Sequence, residues 1–576
     1  MRYILLSFAA LLLHAQEYPL GPDHQRHPGT PVGQVTKHAL AGKVYPGTTR
    51  EYWVYVPAQY QATKPAAVLV VQDGGGWISD TGRFRAPIVM DNLIHRGEMP
   101  VTIGIFVNPG IMPAPTPDSQ DRFHRSFEYD AMSDRYARFL VDDLLPAVAK
   151  DYTLSRDPND RAIAGSSSGA SAALIAAWNR PDQFSRVISF IGSFTNLRGA
   201  QTLSSLIRKT EPKALRIFMQ DGRNDQSIYA GSWFRANEDI DMALTYAGYD
   251  HTFVIGNEAH NGIHGSAILP DALRWLWRGY PQPIVKGTRP VTQFIDPTQD
   301  WQLLSQGHTF AEGPTFDRQG NLFFTDVRAD KLWKIGVDQK VTLFKDKAGK
   351  VSGLKFGPDG ILYACRREPK QIVAFQMDGT ETVIADGADA NDLTVTAKGE
   401  IYYSDPAAKR VWLIDAQRQK RVVYEGIQSP NGVTLSPDQS MLIVADSADR
   451  WVWSFQRSPD GSLVNGEQFY RLELADQTPR SSADGLTVDT EGFLYVTTNL
   501  GLQIVDPAGR VNAILNKPQP GPLSSVAFGG PTSTTSTSPP ATKSTAVSPS
   551  AKASTPGPSS SHPNRGSNPA SPPNAS

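Results

Sequence analysis

Six positions in the second half of the chain, Gly313, Gly353, Asp392, Gly432, Gly485 and Ser525, follow one another at steps of 40, 39, 40, 53 and 40 residues. Each opens a short strand, a turn carrying Asp or Gly, and a second strand rich in Tyr or Phe, as in Leu322-Phe-Phe-Thr-Asp, Ile361-Leu-Tyr-Ala and Ile401-Tyr-Tyr-Ser-Asp. A period near 40 residues with about four strands per unit is the pattern of a β-propeller, in which each unit buries its faces only against its neighbours. Six units predict six blades over residues 301–530. The sixth stops after its first strand, residues 524–528, so the last blade is expected to be incomplete. Trp301 to Gln306 is predicted to supply its outer strand.

Residues 531–576 are mostly Ser, Thr, Pro and Ala, without an aromatic or acidic residue. Such a segment cannot bury a core and is expected to be disordered. Codons for Thr532 to Ala546, regrouped by one nucleotide, can approximately encode a turn, a Leu-Tyr-Val-Thr strand like those of the other blades, and a further strand. A +1 frameshift is therefore the preferred origin of the tail; a genuine disordered tail, with glycosylation, is the alternative.

Residues 35–280 have a different texture. Short β-rich apolar runs such as Ala67 to Gln72 and Val101 to Val107 alternate with helical stretches such as Gly169 to Asn179. That alternation predicts an α/β layered domain with a mainly parallel sheet. The chain is thus expected to be multidomain, an α/β sandwich followed by an all-β propeller. Four prolines within residues 281–300 mark the linker between them. Residues 17–34 read as an N-terminal linker. Met1 to Gln16, with Arg2 ahead of an apolar run too short for a span of about 20 residues, reads as a signal peptide. The mature protein is therefore expected to be secreted or periplasmic, without a membrane span. Lys plus Arg total 56 and Asp plus Glu 57, a balance that gives no sign of a nucleic-acid partner. The single cysteine, Cys365, excludes a disulfide framework and a Cys-based zinc site.

The first chemical signal is Gly165-Ser-Ser167-Ser-Gly169, between a strand and an Ala-rich helix. The glycines allow a tight strand-to-helix turn that exposes Ser167 as a nucleophile, with the N–H of Ser168 at the helix start facing a developing oxyanion. The loop Asp73-Gly74-Gly75-Gly76 after an earlier strand is expected to add a second donor, from Gly74 or Gly75. An orienting acid and a base should follow in that order. Asp225 is the chosen acid and Asp221 the runner-up; His260 is the chosen base and His264 the runner-up. His251 is expected at a strand edge.

These segments, with Gly47-Thr-Thr-Arg-Glu-Tyr-Trp-Val-Tyr-Val-Pro, Arg125-Ser-Phe-Glu-Tyr-Asp and Gly192-Ser-Phe-Thr-Asn, resemble the enterochelin-esterase-like (esterase D type) branch of the α/β-hydrolases. The resemblance implies metal-independent serine ester hydrolysis, and Arg125 and Glu128 resemble a pair lining the family's pocket, with a structural ion pair as the alternative. The family's Gly-Gly-His before the base appears here as Glu258-Ala259-His260.

The second signal lies in the repeat. Glu312, Ser352, Asn391, Asn431, Asp484 and Ser524 share one phase, just before the first strand of each unit, where propeller loops converge on the axis. Oxygen ligands converging there suit a hard cation. Glu312-Gly-Pro, Asn391-Asp, Pro430-Asn-Gly and Asp484-Gly also resemble the gluconolactonase/senescence-marker (SMP-30/LRE-like) family. The resemblance implies one divalent metal, Ca²⁺ first and Mg²⁺ or Zn²⁺ as alternatives, held by Glu312, Asn431 and Asp484. It also implies Asp484 as an assisting base and Asn391 as a substrate contact. Some members carry an arginine where this chain has Asp389. Asp405 reads as a turn residue.

The expected function is a secreted two-domain hydrolase, a serine esterase joined to a metal-dependent lactonase-like propeller acting on small-molecule or sugar-linked esters and lactones. The alternative is an esterase whose propeller only binds a carbohydrate or a protein.

Overall fold

The computed structural model describes residues 18–287, 294–295, 300–476, 478–519 and 521–529, and the backbone of Thr534–Ser538 and Lys543–Val547. The expected signal peptide, parts of the linker and the rest of the tail lie outside these. The chain divides into two compact units, Met1–Pro290 and Val291–Ser576.

The first unit is built on a ten-stranded sheet. Its eight longer strands are β1 (Gln34–Ala41), β2 (Thr49–Val56), β3 (Ala67–Gln72), β4 (Thr102–Val107), β5 (Arg161–Ser166), β6 (Arg186–Phe190), β7 (Arg216–Gly222) and β8 (Asp250–Gly256). They lie in the order β8-β7-β6-β5-β3-β4-β2-β1, with β3 to β8 parallel and β1 and β2 antiparallel. All residues of β3 and β4 are buried, as a sheet covered on both faces requires. Leu69, Val71, Ala162 and Ala164 face a core shared with α1 (Ala86–His95) and α4 (Leu269–Trp277). Val68, Val70 and Ile163, which alternate with them, are equally buried and face the other way. The chain runs from β3 outward to β4, then returns to the other side of β3 to lay down β5. Ligands in open parallel sheets bind at such a reversal, beyond the strand C-termini, and both loops of interest begin there.

In the second unit five blades are each built from four consecutive strands. The innermost strands include Ala311–Phe316, Val351–Phe356, Leu393–Val395, Pro430–Leu435 and Leu486–Val488; they are largely buried, whereas outer strands such as Val341–Asp346 are largely exposed. The expectation of six blades is thus corrected to five. Of the sixth repeat, Ser525–Gly529 is described with its side chains; the sequence beyond it lacks the apolar alternation a buried blade strand needs. That strand lies against the inner strands of the first and fifth blades. It pairs with Thr534–Ser538, which pairs with Lys543–Val547, with Gln302–Gln306 at the far edge. The expectation of disorder from residue 531 is corrected for these ten residues. Strand pairing uses the backbone, and two open edges offer templates for it. Cys365 is buried. Among the described residues no helix is long and apolar enough to cross a membrane.

Candidate active sites

Ser167 follows β5 directly and caps α2 (Ser168–Asn179) with φ 58° and ψ −128°. This region is costly for a side chain other than glycine, and such strain gathers where a nucleophile must be displayed. Gly165 is obligatory here. A Cβ on Gly165 would stand 2.3 Å from the backbone of Gly169, so strand and helix meet at a distance no side chain permits.

The Ser167 hydroxyl lies 2.7 Å from His260 Nε2, and His260 Nδ1 lies 2.7 Å from Asp225 Oδ1. Asp225 ends the turn after β7, and its side chain is fully buried. Trp233 stands edge-on to the imidazole, with ring centroids 5.7 Å apart. Its indole N–H donates to Ser193 Oγ, which in turn lies 3.3 Å from Ser167 Oγ. Ser193 lies in the Gly192-Ser-Phe-Thr-Asn segment, whose sequence carries no sign of this role.

The other candidate histidines and Asp221 have partners of their own. His264 is stacked on Tyr18 at 4.0 Å and meets Gln220 Nε2; burial holds its pKa below the ordinary value. His251 meets Asp241 and the Tyr249 carbonyl at the start of β8. Asp221 accepts the N–H of Gly222 and an amide N–H of Asn237.

On the loop after β3, the N–H of Gly75 donates to Asn108 Oδ1 at 3.1 Å, and that of Gly76 to the Asp73 carbonyl. Gly75 is therefore corrected from oxyanion donor to anchor. Its N–H is already used, by a side chain that sequence spacing could not connect to it. Among the described residues the N–H groups of Gly74 and Ser168 have no acceptor. A Cβ on Gly74 would stand 2.3 Å from the backbone of Phe106, so this turn too accepts only glycine.

Arg125 and Glu128 do not form a pair lining a pocket, which corrects that expectation. Glu128 makes a two-pronged ion pair with Arg50 at 2.6 and 3.0 Å, both side chains fully buried. Arg125, about two-fifths exposed, grips Asp73 at 2.9 and 3.0 Å. Asp73 has φ 52° and immediately precedes Gly74. Each residue pairs with an opposite charge delivered from a distant strand or loop.

In the propeller, Glu312, Asn391, Asp392, Asn431, Asp484 and Ser524 line one cavity with the glycines beside them. Glu312 Oε2 and Asn431 Oδ1 are buried without a hydrogen-bond partner among the described residues. The Asn431 amide N–H is held by Ser447 Oγ, which donates to the Ala483 carbonyl. Burial pushes the Glu312 carboxyl up to about 7, with Arg367 opposing and Asp392 adding to the rise. Burial and the charges of Glu312 and Asp392 push Asp484 well above the carboxylate range. Asp392 is raised to about 6 by burial, although its oxygens accept the N–H groups of Val433 and Leu393. The sequence offered one signal for Asp392, an acid where four of the six repeats have glycine. Ser352 spends its hydroxyl on the Asn391 carbonyl. Asp389 is paired with Lys370 at 2.6 Å, and Asp405 accepts a turn N–H from Ala408. Among the described residues no three of His, Cys, Asp and Glu cluster as a metal would need. The convergent set is mixed, two carboxylates and an amide oxygen.

The "Putative esterase" family profile matches residues 44–243, and the "SMP-30/Gluconolactonase/LRE-like region" profile matches residues 310–536. The chain joins an esterase-like domain to an SMP-30/gluconolactonase-like propeller. On the propeller side, a gluconolactonase of Zymomonas mobilis is 24% identical over 287 residues, 43% of this chain and 80% of that protein. On the esterase side, an iron(III) enterobactin esterase of Dickeya dadantii is 26% identical over 245 residues, 40% of this chain and 52% of that protein. The chain thus spans about half the length of that esterase. Among solved structures, the enterobactin esterase FES from Shigella flexneri is 20% identical with a TM-score of 0.35, covering 45% of this chain and 63% of that one. The calcium-binding protein regucalcin from Agrobacterium tumefaciens is 16% identical with a TM-score of 0.39, covering 44% of this chain and 95% of that one.

Proposed function

We propose that the esterase domain hydrolyses carboxylic esters through Ser167, His260 and Asp225. The observation that carries this reading is the unbroken Ser167–His260–Asp225 chain beside two N–H groups left without acceptors. Ser167 Oγ attacks the ester carbonyl as His260 Nε2 takes its proton. Asp225 holds the proton on His260 Nδ1 and so fixes the tautomer. The N–H groups of Gly74 and Ser168 receive the negative charge on the carbonyl oxygen. His260 then gives its proton to the leaving alcohol. Water, activated by the same imidazole, releases the acid and restores Ser167. The test is hydrolysis of a short-chain aryl ester by the wild type and by S167A, both in EDTA. Loss in the variant alone supports the reading; equal activity in both refutes it.

The propeller is proposed to bind a divalent cation and act on lactones or sugar-linked esters. Two orphaned buried oxygens and two carboxyls crowded into one cavity fit a hard cation, Ca²⁺ first, because every donor is oxygen. Glu312, Asn431 and Asp484 would hold it. Such an ion polarises a carbonyl and makes a bound water more acidic. Asn391 lines the same cavity and is placed to contact substrate, and Asp484 to take a proton. A binding-only propeller is the second reading. It is favoured by the Asp389–Lys370 pair, which leaves an ion pair where some relatives of this type carry an arginine. Turnover of aldonolactones that stops in E312Q supports the first reading; calcium uptake without turnover supports the second.

A further inference from the structure

Asp225 uses only one of its two oxygens in the triad. Oδ1 accepts from His260 Nδ1 at 2.7 Å and from the N–H of Gln226 at 2.5 Å. Oδ2 is buried and has no donor among the described residues. Asp221, wholly buried at the end of β7, stands across the tight turn that the Asp225 N–H closes on the Gly222 carbonyl at 3.0 Å, and the two carboxyls act on each other. Its own oxygens already accept from the Gly222 N–H at 2.7 Å and from Asn237 Nδ2 at 2.8 Å.

Two buried carboxylates in contact, with no cation between them, are strongly unfavourable. Among the described residues the neighbouring elements supply none; His264, on the helix Ile263–Ala267 beside β7, is turned to Gln220 Nε2. From α3 (Trp233–Ala247) come the neutral side chains of Trp233 and Asn237. From the loop after β8 come His260, turned to Asp225 Oδ1, and the Glu258 backbone, packed against Gly222. Arg223 stands over the Phe234 ring.

We propose that Asp221 is a standing carboxylic acid whose O–H donates to Asp225 Oδ2, making it a positioning residue that holds the Asp225 carboxylate toward His260. The proposal rests on the esterase reading and extends it from three residues to four. Burial and the neighbouring Asp225 together push the Asp221 pKa up to about 9. Below that pH the pair carries one negative charge and one shared proton. Above it the proton leaves to solvent, the donor is lost, and two anions repel across the triad. Asp221 ionisation therefore sets an alkaline limit on the esterase.

The experiment measures kcat and KM against pH for the full-length wild type, D221N and D221A, with infrared difference spectra of wild type minus each variant. D221N keeps an N–H donor and cannot ionise. It is expected to stay within a few-fold of wild type at neutral pH and to lose the alkaline limb near pH 9. D221A orphans Asp225 Oδ2 and is expected to lower kcat about tenfold or more with KM unmoved. The difference spectra are expected to show the carbonyl stretch of one protonated carboxylic acid at pH 7, fading above pH 9. No such band, or an alkaline limb that D221N leaves in place, overturns the proposal. The band without any ester hydrolysis sinks the esterase reading and leaves the proton where it is placed here. The two variants carry the test separately should one fail to fold.

Discussion

At the serine site most of the polar side chains find partners within the chain. Ser167, His260 and Asp225 form a closed series, Asn108 takes the Gly75 N–H, and Arg125 neutralises Asp73. Among the described residues the N–H groups of Gly74 and Ser168 and the second oxygen of Asp225 are left without a partner. At the propeller axis the balance is reversed. Glu312 Oε2 and Asn431 Oδ1 lack partners among the described residues, and burial raises the pKa values of three carboxyls, with Asp392 adding to the rise at Glu312 and both of these adding to it at Asp484. An orphaned buried polar atom costs about 1–3 kcal/mol. One site is largely satisfied from within the chain; the other leaves buried oxygens unsatisfied among the described residues.

The largest expected effect tests the first half of that contrast. S167A should lower aryl-ester hydrolysis by about 10³-fold or more, and EDTA should leave the wild type unchanged. Residual activity that EDTA removes would assign the hydrolysis to the propeller instead. Next is the incomplete site. Calcium at about a hundredfold its dissociation constant should stabilise the propeller's unfolding transition by about 2.7 kcal/mol, and E312Q and D484N should abolish that gain in calorimetry. Equal gains in the variants would place the ion elsewhere. Smaller again is N108A, which frees the Gly75 N–H and loosens the loop that aims Gly74. A drop of about tenfold in kcat with little change in KM is expected, below the 10²–10³-fold cost of removing an oxyanion donor outright. R125A should have the smallest effect. Its ion pair with Asp73 is partly exposed, and such pairs contribute about 1 kcal/mol or less, so kcat/KM should fall no more than about fivefold.

What could be read from the sequence followed a physical divide. Ser167, Asp225 and His260 were nameable because strand-loop-helix order forces a nucleophile, an acid and a base into successive loops at one sheet edge. The blade pattern was readable because each unit repeats the same burial problem. Which glycine of Gly74-Gly75-Gly76 donates was not readable, since the answer depends on Asn108, a side chain 33 residues on. The partners of Arg125 and Glu128 were hidden for the same reason. Arg50 and Asp73 reach them through tertiary structure, and charge spacing along the chain carries no trace of that. Asp392 was legible only as an exception to a glycine position. The blade count failed at the tail, where backbone pairing proceeds without the apolar pattern that had marked every earlier strand.

The sheet assembled from Gln302–Gln306 and the strands after Ser525 also sets a timetable for synthesis. The esterase domain can emerge from the ribosome and fold while the propeller is still being translated. The first-made strand of the ring must wait at an open edge until the last-made strands arrive. Any ribosome that terminates early releases a chain with its first unit whole and an unsealed ring.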